Sequence, residues 1–213
     1  MAKLPHGLLG PFLGSAGPVS GYLRLGTPVV RSKPRSSSYK STPARQAQQR
    51  KLQVVLPFIQ AFTGTPFFKK SFPIGKEGST GYNRALSQVM NGALVGNDSE
   101  LVLSYPLVLI SRGSLPKAEN ATVGIEQDGH LRFCWTDNSE TGKAKASDLV
   151  LLVAFAPALG QAVYAVGPNQ RSDREALLPV HQFKGYVVET WIGFIDEMET
   201  DAADSVYTGR IQL

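Results

Sequence analysis

Apolar residues recur along this chain with two different periods, and the change of period divides it. Leu52, Val55, Leu56, Ile59 and Phe62 are spaced by three and four residues, the stripe of a helix, while Arg45, Gln48 and Gln49 face elsewhere. Thr42-Pro43 just ahead supplies a capping hydroxyl and a proline suited to the first helical turn. Pro57 lacks an N–H and is expected to kink or divide that helix. A second stripe, Tyr82, Leu86, Val89, Met90 and Ala93, follows a cap at Ser79 or Thr80. The pattern predicts two helices, paired with each other or packed on whatever follows. A Gly/Pro-rich connector carrying Lys69, Lys70 and Lys76 joins them.

From Leu101 onward the period falls to two. Leu101 to Arg112 is a β-rich run broken by Pro106. Ala121 to Glu126 and His130 to Thr136 flank the turn Gln127-Asp128-Gly129, and Leu131, Phe133 and Trp135 alternate with Arg132 and Cys134. Leu149 to Phe155, Ala162 to Val166, Ala176 to Val180, Tyr186 to Phe194 and Val206 to Ile211 complete the set. Short strands at this spacing predict an antiparallel sandwich. Trp135 on an early strand, with Tyr186, Trp191 and Phe194 on a late one, suits a fibronectin-III-like core.

Ahead of the helices, Val19 to Leu25 and Pro28 to Ser32 read as a hairpin turning at Gly26-Thr27. Residues 31–43 are basic and rich in proline and serine, the composition of an extended linker. The expected class is therefore α+β, mainly β, in three parts. These are a basic Gly/Pro-rich arm with a hairpin (1–43), two helices (44–98) and an antiparallel β-sandwich (99–213).

Charge sharpens this picture. Residues 1–76 hold twelve Lys and Arg and no Asp or Glu, whereas residues 77–213 hold ten basic and seventeen acidic residues. The two stretches carry +12 and −7, and the whole chain +5. A basic arm attracts phosphate, so nucleic acid or an anionic membrane is the partner expected on one reading. Alternatively the arm of one subunit meets the acidic part of the next, a head-to-tail contact that builds rings or filaments. On that reading Gly10, Gly14, Gly17 and Gly21 permit close approach of subunits. Arg24, Arg31, Lys33 and Arg35 then meet the carboxylates Asp196, Glu197 and Glu199.

These residues resemble a family found widely in Bacteroidota and labelled only as a domain of unknown function. The resemblance rests on the Gly-rich segment Gly10 to Gly21, the Arg31 to Pro34 step and the helix opening at Gln46 to Arg50. It continues through Ile110-Ser-Arg-Gly-Ser-Leu-Pro, Trp135-Thr-Asp-Asn-Ser and Ser205-Val-Tyr-Thr-Gly. It implies a full-length fold of an arm plus a β domain and brings no catalytic residues with it.

Signals for catalysis are absent from the sequence. The early glycines lack the Gly-Lys-Ser/Thr ending of a phosphate loop. His6, His130 and His181 lie far apart, and Cys134 falls between two core aromatics. The loop from Asp137 to Gly142, with Asp148, offers oxygen ligands without the spacing of a calcium loop. No enzyme activity, cofactor or metal is expected. A ligand-binding β domain would rest on exposed aromatics at Trp191 and Tyr207. The single cysteine argues against a disulfide framework, and no apolar stretch reaches the ~18 residues of a membrane span. The apolar N-terminus is too broken by glycine and proline for a signal-peptide core. The expected location is the cytoplasm, or a released particle or filament. The leading expectation is a self-assembling structural subunit, with a nucleic-acid-binding protein as the alternative.

Overall fold

A computed structural model describes Lys3 and residues 10–33, 41–73, 75, 79–97, 100–126 and 129–213. His6, Gly7, Arg35, Lys76, most of the linker and the turn pair Gln127-Asp128 lie outside the described residues. The chain forms two compact units, residues 1–42 and residues 43–213.

The first unit holds a three-stranded antiparallel sheet of β1 (Gly14–Ala16), β2 (Val19–Arg24) and β3 (Thr27–Ser32). The expected hairpin is present, but it turns one residue earlier, at Leu25 and Gly26. Both have positive φ, 49° and 84°, the signature of the tight turn that matches strand twist. The Gly-rich segment contributes the third strand.

The second unit has three layers. In the middle lies a four-stranded sheet in the order β12 (Val206–Gln212), β11 (Val187–Ile195), β8 (Leu149–Ala156), β9 (Gln161–Gln170). A three-stranded sheet, β10 (Glu175–Pro179), β7 (His130–Thr136), β6 (Glu119–Glu126), packs on one face. All neighbouring strands run antiparallel, and the two sheets make a seven-stranded sandwich. Its core joins Leu131, Phe133 and Trp135 to Val150, Leu152, Ile192 and Phe194.

Helices cover the opposite face of the middle sheet. They are α1 (Pro43–Gln60), α2 (Phe67–Ser71) and α3 (Gly81–Gly92). Leu151, Val153, Phe155 and Trp191 point toward them and meet Val55, Phe58, Ile59 and Phe62 of α1 in a second core. Phe58 touches both Phe155 and Trp191, with ring centres 5.1 and 5.7 Å away. This double burial explains why β8 reads Leu-Val-Leu-Leu-Val-Ala-Phe-Ala without alternation: both of its faces are interior.

Three local expectations are corrected. Pro57 does not divide α1, which runs on to Gln60. The connector before α3 folds into α2, whose Phe67, Phe68 and Ser71 are buried. The run from Leu101 to Arg112 supplies only the two-residue strand β5 (Val102–Leu103), paired with β4 (Leu94–Val95), before Pro106 turns it into a 3-10 segment. The cap of α3 is Thr80, whose hydroxyl accepts from Asn83 N–H at 3.2 Å.

Candidate functional site

The arm sheet is the element whose residues least explain themselves. Strand alternation and the observed register sort its side chains. Gly21 faces Val30, Leu23 faces Pro28 and Val19 faces Ser32, so one face carries Val19, Leu23, Pro28 and Val30. The other carries Tyr22, Arg24, Val29 and Arg31, with the Arg31 guanidinium 5.4 Å from the centre of the Tyr22 ring. One face is apolar and the other basic and aromatic. Yet Leu23 is 52% exposed and Val30 57%. Among the described residues of this unit, Gly21 alone is buried.

The expected site residues fall into distinct roles. Gly14 and Gly17 take positive φ, 102° and 56°, and shape the bends around β1. A Cβ on Gly21 would collide with the backbone carbonyl of Phe12, so its missing side chain serves close approach within the arm. Gly10 is half-buried in a bend. Arg24, Arg31 and Lys33 are exposed.

The acidic stretch is partly engaged in its own chain. Asp196 caps its own turn, its Oδ1 accepting from Thr200 N–H at 2.5 Å and Asp201 N–H at 2.8 Å. Glu199 pairs with Lys70. Glu197 is exposed, and next to it Met198 is 83% exposed.

The loop from Asp137 to Asp148 is organised around a cation that belongs to the chain itself. Arg171 is fully buried; its Nε lies 3.1 Å from Asp148 Oδ2, its Nη1 donates to Asn138 Oδ1 at 2.6 Å, and its Nη2 donates to Pro116 O at 3.1 Å. The guanidinium lies 3.8 Å from the centre of the Phe194 ring. Burial draws the Arg171 pKa below its ordinary value, opposed by the Asp148 carboxylate. Among the described residues no group of three or more His, Cys, Asp or Glu is placed to hold a metal ion.

A second buried charge lies on the helix-facing side of the middle sheet. Glu189 accepts from Tyr207 Oη at 2.5 Å and from Arg210 Nε at 2.8 Å. Burial, then the hydrogen bond to Glu189, pushes the Tyr207 phenol well above its usual range. A lone carboxylate in the run Val187–Ile195 was the available sequence signal for this cluster. No comparable signal marked Arg171.

Tertiary structure also joins His130 to His181, ring centres 4.9 Å apart and edge to face. Cys134 is half-buried on the outer side of β7. Trp191 is fully buried, its Nε1 donating to Val108 O at 3.1 Å, so it offers no exposed aromatic platform for a ligand. No described helix is long and apolar enough to cross a membrane.

The chain belongs to the family of unknown function DUF6266, which matches it over residues 12–209. No curated protein matches it. Among solved structures it is similar to the fn3 domain of the human collagen alpha-1(XX) chain, at 18% identity. That similarity covers 48% of this chain and 89% of the other, with a TM-score of 0.31.

Proposed function

We propose that this member of the family is a non-catalytic structural subunit, whose arm sheet seats on a second copy of the chain and builds a polymer or closed ring. One observation carries the reading: a three-stranded sheet whose apolar face leaves Leu23 and Val30 more than half exposed. Covering exposed apolar side chains of such a small sheet against another surface adds stability to it. Exposed edges and an apolar face together suit docking by strand addition or face-to-face packing.

Charge favours a copy of the same chain as that surface. The charged side chains among the described arm residues (Lys3, Arg24, Arg31 and Lys33) are all positive, while residues 77–213 carry a net −7. Glu197 and Met198 offer a carboxylate beside an exposed apolar side chain, the same pairing of character that the arm shows. A head-to-tail contact of this kind propagates.

The test is removal of residues 1–36, followed by light scattering and negative-stain microscopy after nuclease treatment. Large assemblies from the intact chain, and a folded monomer from the truncated one, support the proposal. Assemblies that persist without the arm rule it out.

A second reading rests on the basic face. Tyr22 against Arg31, with Arg24 beside them, is the kind of surface on which a nucleotide base stacks while its phosphate is neutralised. That reading requires binding to single-stranded nucleic acid that weakens steeply with salt and depends on Arg24 and Arg31 but not on Leu23 and Val30.

A further inference from the structure

The second unit contains a groove of about 700 Å³ along α3, within the size range of small-molecule sites. Its floor follows from helical spacing. Asn83, Ser87 and Asn91 recur every fourth residue and form one polar ridge, and Arg84 and Gln88 form the next. Phe72 and Ser79 close one side, while Arg112, Gly113 and Ser114 close the other. The described lining therefore contains two guanidinium groups and no carboxylate.

Among the described residues neither cation pairs with a carboxylate. Arg84 is held by backbone carbonyls alone: its Nε donates to Phe72 O at 3.0 Å, its Nη1 to Ser79 O at 2.6 Å, and its Nη2 to Phe72 O and to Pro73 O. It satisfies carbonyls after α2 and adds a fixed positive charge. Arg112 is exposed, and its Nη1 donates to the neutral amide oxygen of Gln88 at 2.6 Å. Neither arginine takes part in any of the four ion pairs among the described residues. Asp201 and Asp204 approach this end of the groove but turn to Ser114 and to the Gly113 N–H.

A guanidinium oriented by a neutral amide, and in no ion pair among the described residues, matches the geometry of a two-oxygen acceptor. Hydroxyl and amide groups from Ser87, Asn83 and Asn91 supply further donors on one side. We infer that this groove is a binding site for a small oxyanion, a carboxylate or a phosphate, gripped by the Arg112 fork against the polar ridge of α3. The inference is independent of arm-mediated assembly, because every residue it uses lies in the second unit.

The experiment is calorimetric titration of the full chain at low ionic strength with inorganic phosphate and, separately, with succinate. Saturable binding of at least one is expected, and the stronger of the two identifies the oxyanion. Arg112→Gln should weaken it at least tenfold while leaving the melting temperature unchanged, whereas Lys184→Gln should leave binding as it was. Ser87→Asp, which adds a carboxylate to an exposed helical position in the groove, should abolish binding without touching Arg112. Absence of saturable binding by both probes, or binding that survives both groove variants, overturns the inference.

Discussion

Arg171 and Asp148 form an ion pair in which both side chains are withdrawn from water, 0% and 1% exposed, with Nε and Oδ2 3.1 Å apart. The pair ties the segment after β9 to the loop before β8, and through Asn138 and Pro116 it also holds the stretch that leads into β6. Trp135 adds to the knot by donating its Nε1 to Arg171 O at 2.7 Å. A buried pair of this kind is worth little against an apolar replacement, yet breaking it leaves a charge stranded. Arg171→Met should therefore cost about 3–5 kcal/mol in urea unfolding. The double variant Arg171→Met, Asp148→Leu should be less destabilised than the single one. Equal or greater loss in the double variant would show that shape, and not the stranded carboxylate, sets the cost.

Tyr207 gives a spectroscopic handle on the second buried charge. Its phenol, raised by burial and by Glu189, should ionise well above pH 10 in the native protein. A proton held more tightly when folded stabilises the fold below the unfolded value near 10, and that contribution is lost as pH rises through the folded value. Glu189→Gln should bring the ionisation back toward 10, seen as an earlier rise in phenolate absorbance.

Asp201 predicts the acid side of the stability profile. Burial alone would raise its carboxyl, but hydrogen bonds from Ser114 and Ala202, with Lys143 nearby, outweigh it and hold the pKa below the ordinary value. A lowered carboxyl stabilises the fold above about pH 4, and the contribution disappears as pH falls through the folded value. Asp201→Asn should be less stable than the native chain at pH 7, and the difference should shrink at pH 3. An undiminished difference at pH 3 would mean that Asp201 acts through packing.

Gly81 tests the contact between helices. A Cβ there would collide with the carbonyl of Phe68, so α3 starts directly against α2. Gly81→Ala should cost about 1–3 kcal/mol, despite the better helix propensity of alanine. Stabilisation would mean that α2 yields freely.

The arm predicts a separation of assembly from stability. Leu23→Ser with Val30→Ser alters exposed positions, so the melting curve of the second unit should not move. Assembly should be lost. Arg24→Gln with Arg31→Gln should weaken assembly in a salt-sensitive way if the basic face meets carboxylates, and should leave it intact if only the apolar face docks.

Much of this architecture was determined by the sequence alone, because local spacing fixes local structure. Alternation at Leu131, Phe133 and Trp135 placed β7 and its inward face, and the stripe through Val55, Ile59 and Phe62 placed the buried side of α1. The hairpin at Leu25-Gly26 was legible within one residue. The split of charge follows from residue counts alone. Tertiary structure decided everything that joins distant segments. Arg171 reaches Asp148 and Pro116 across 23 and 55 residues, and nothing beside it in the chain marks it as buried. Trp191, on a strand buried on both faces, was covered by helices packed on the far side of its sheet, a layer that strand periodicity does not encode. The groove of α3 likewise needed Arg112 to be carried beside Gln88 by the fold. Sequence periodicity reports which face of an element is apolar; what covers that face is set by the path of the whole chain.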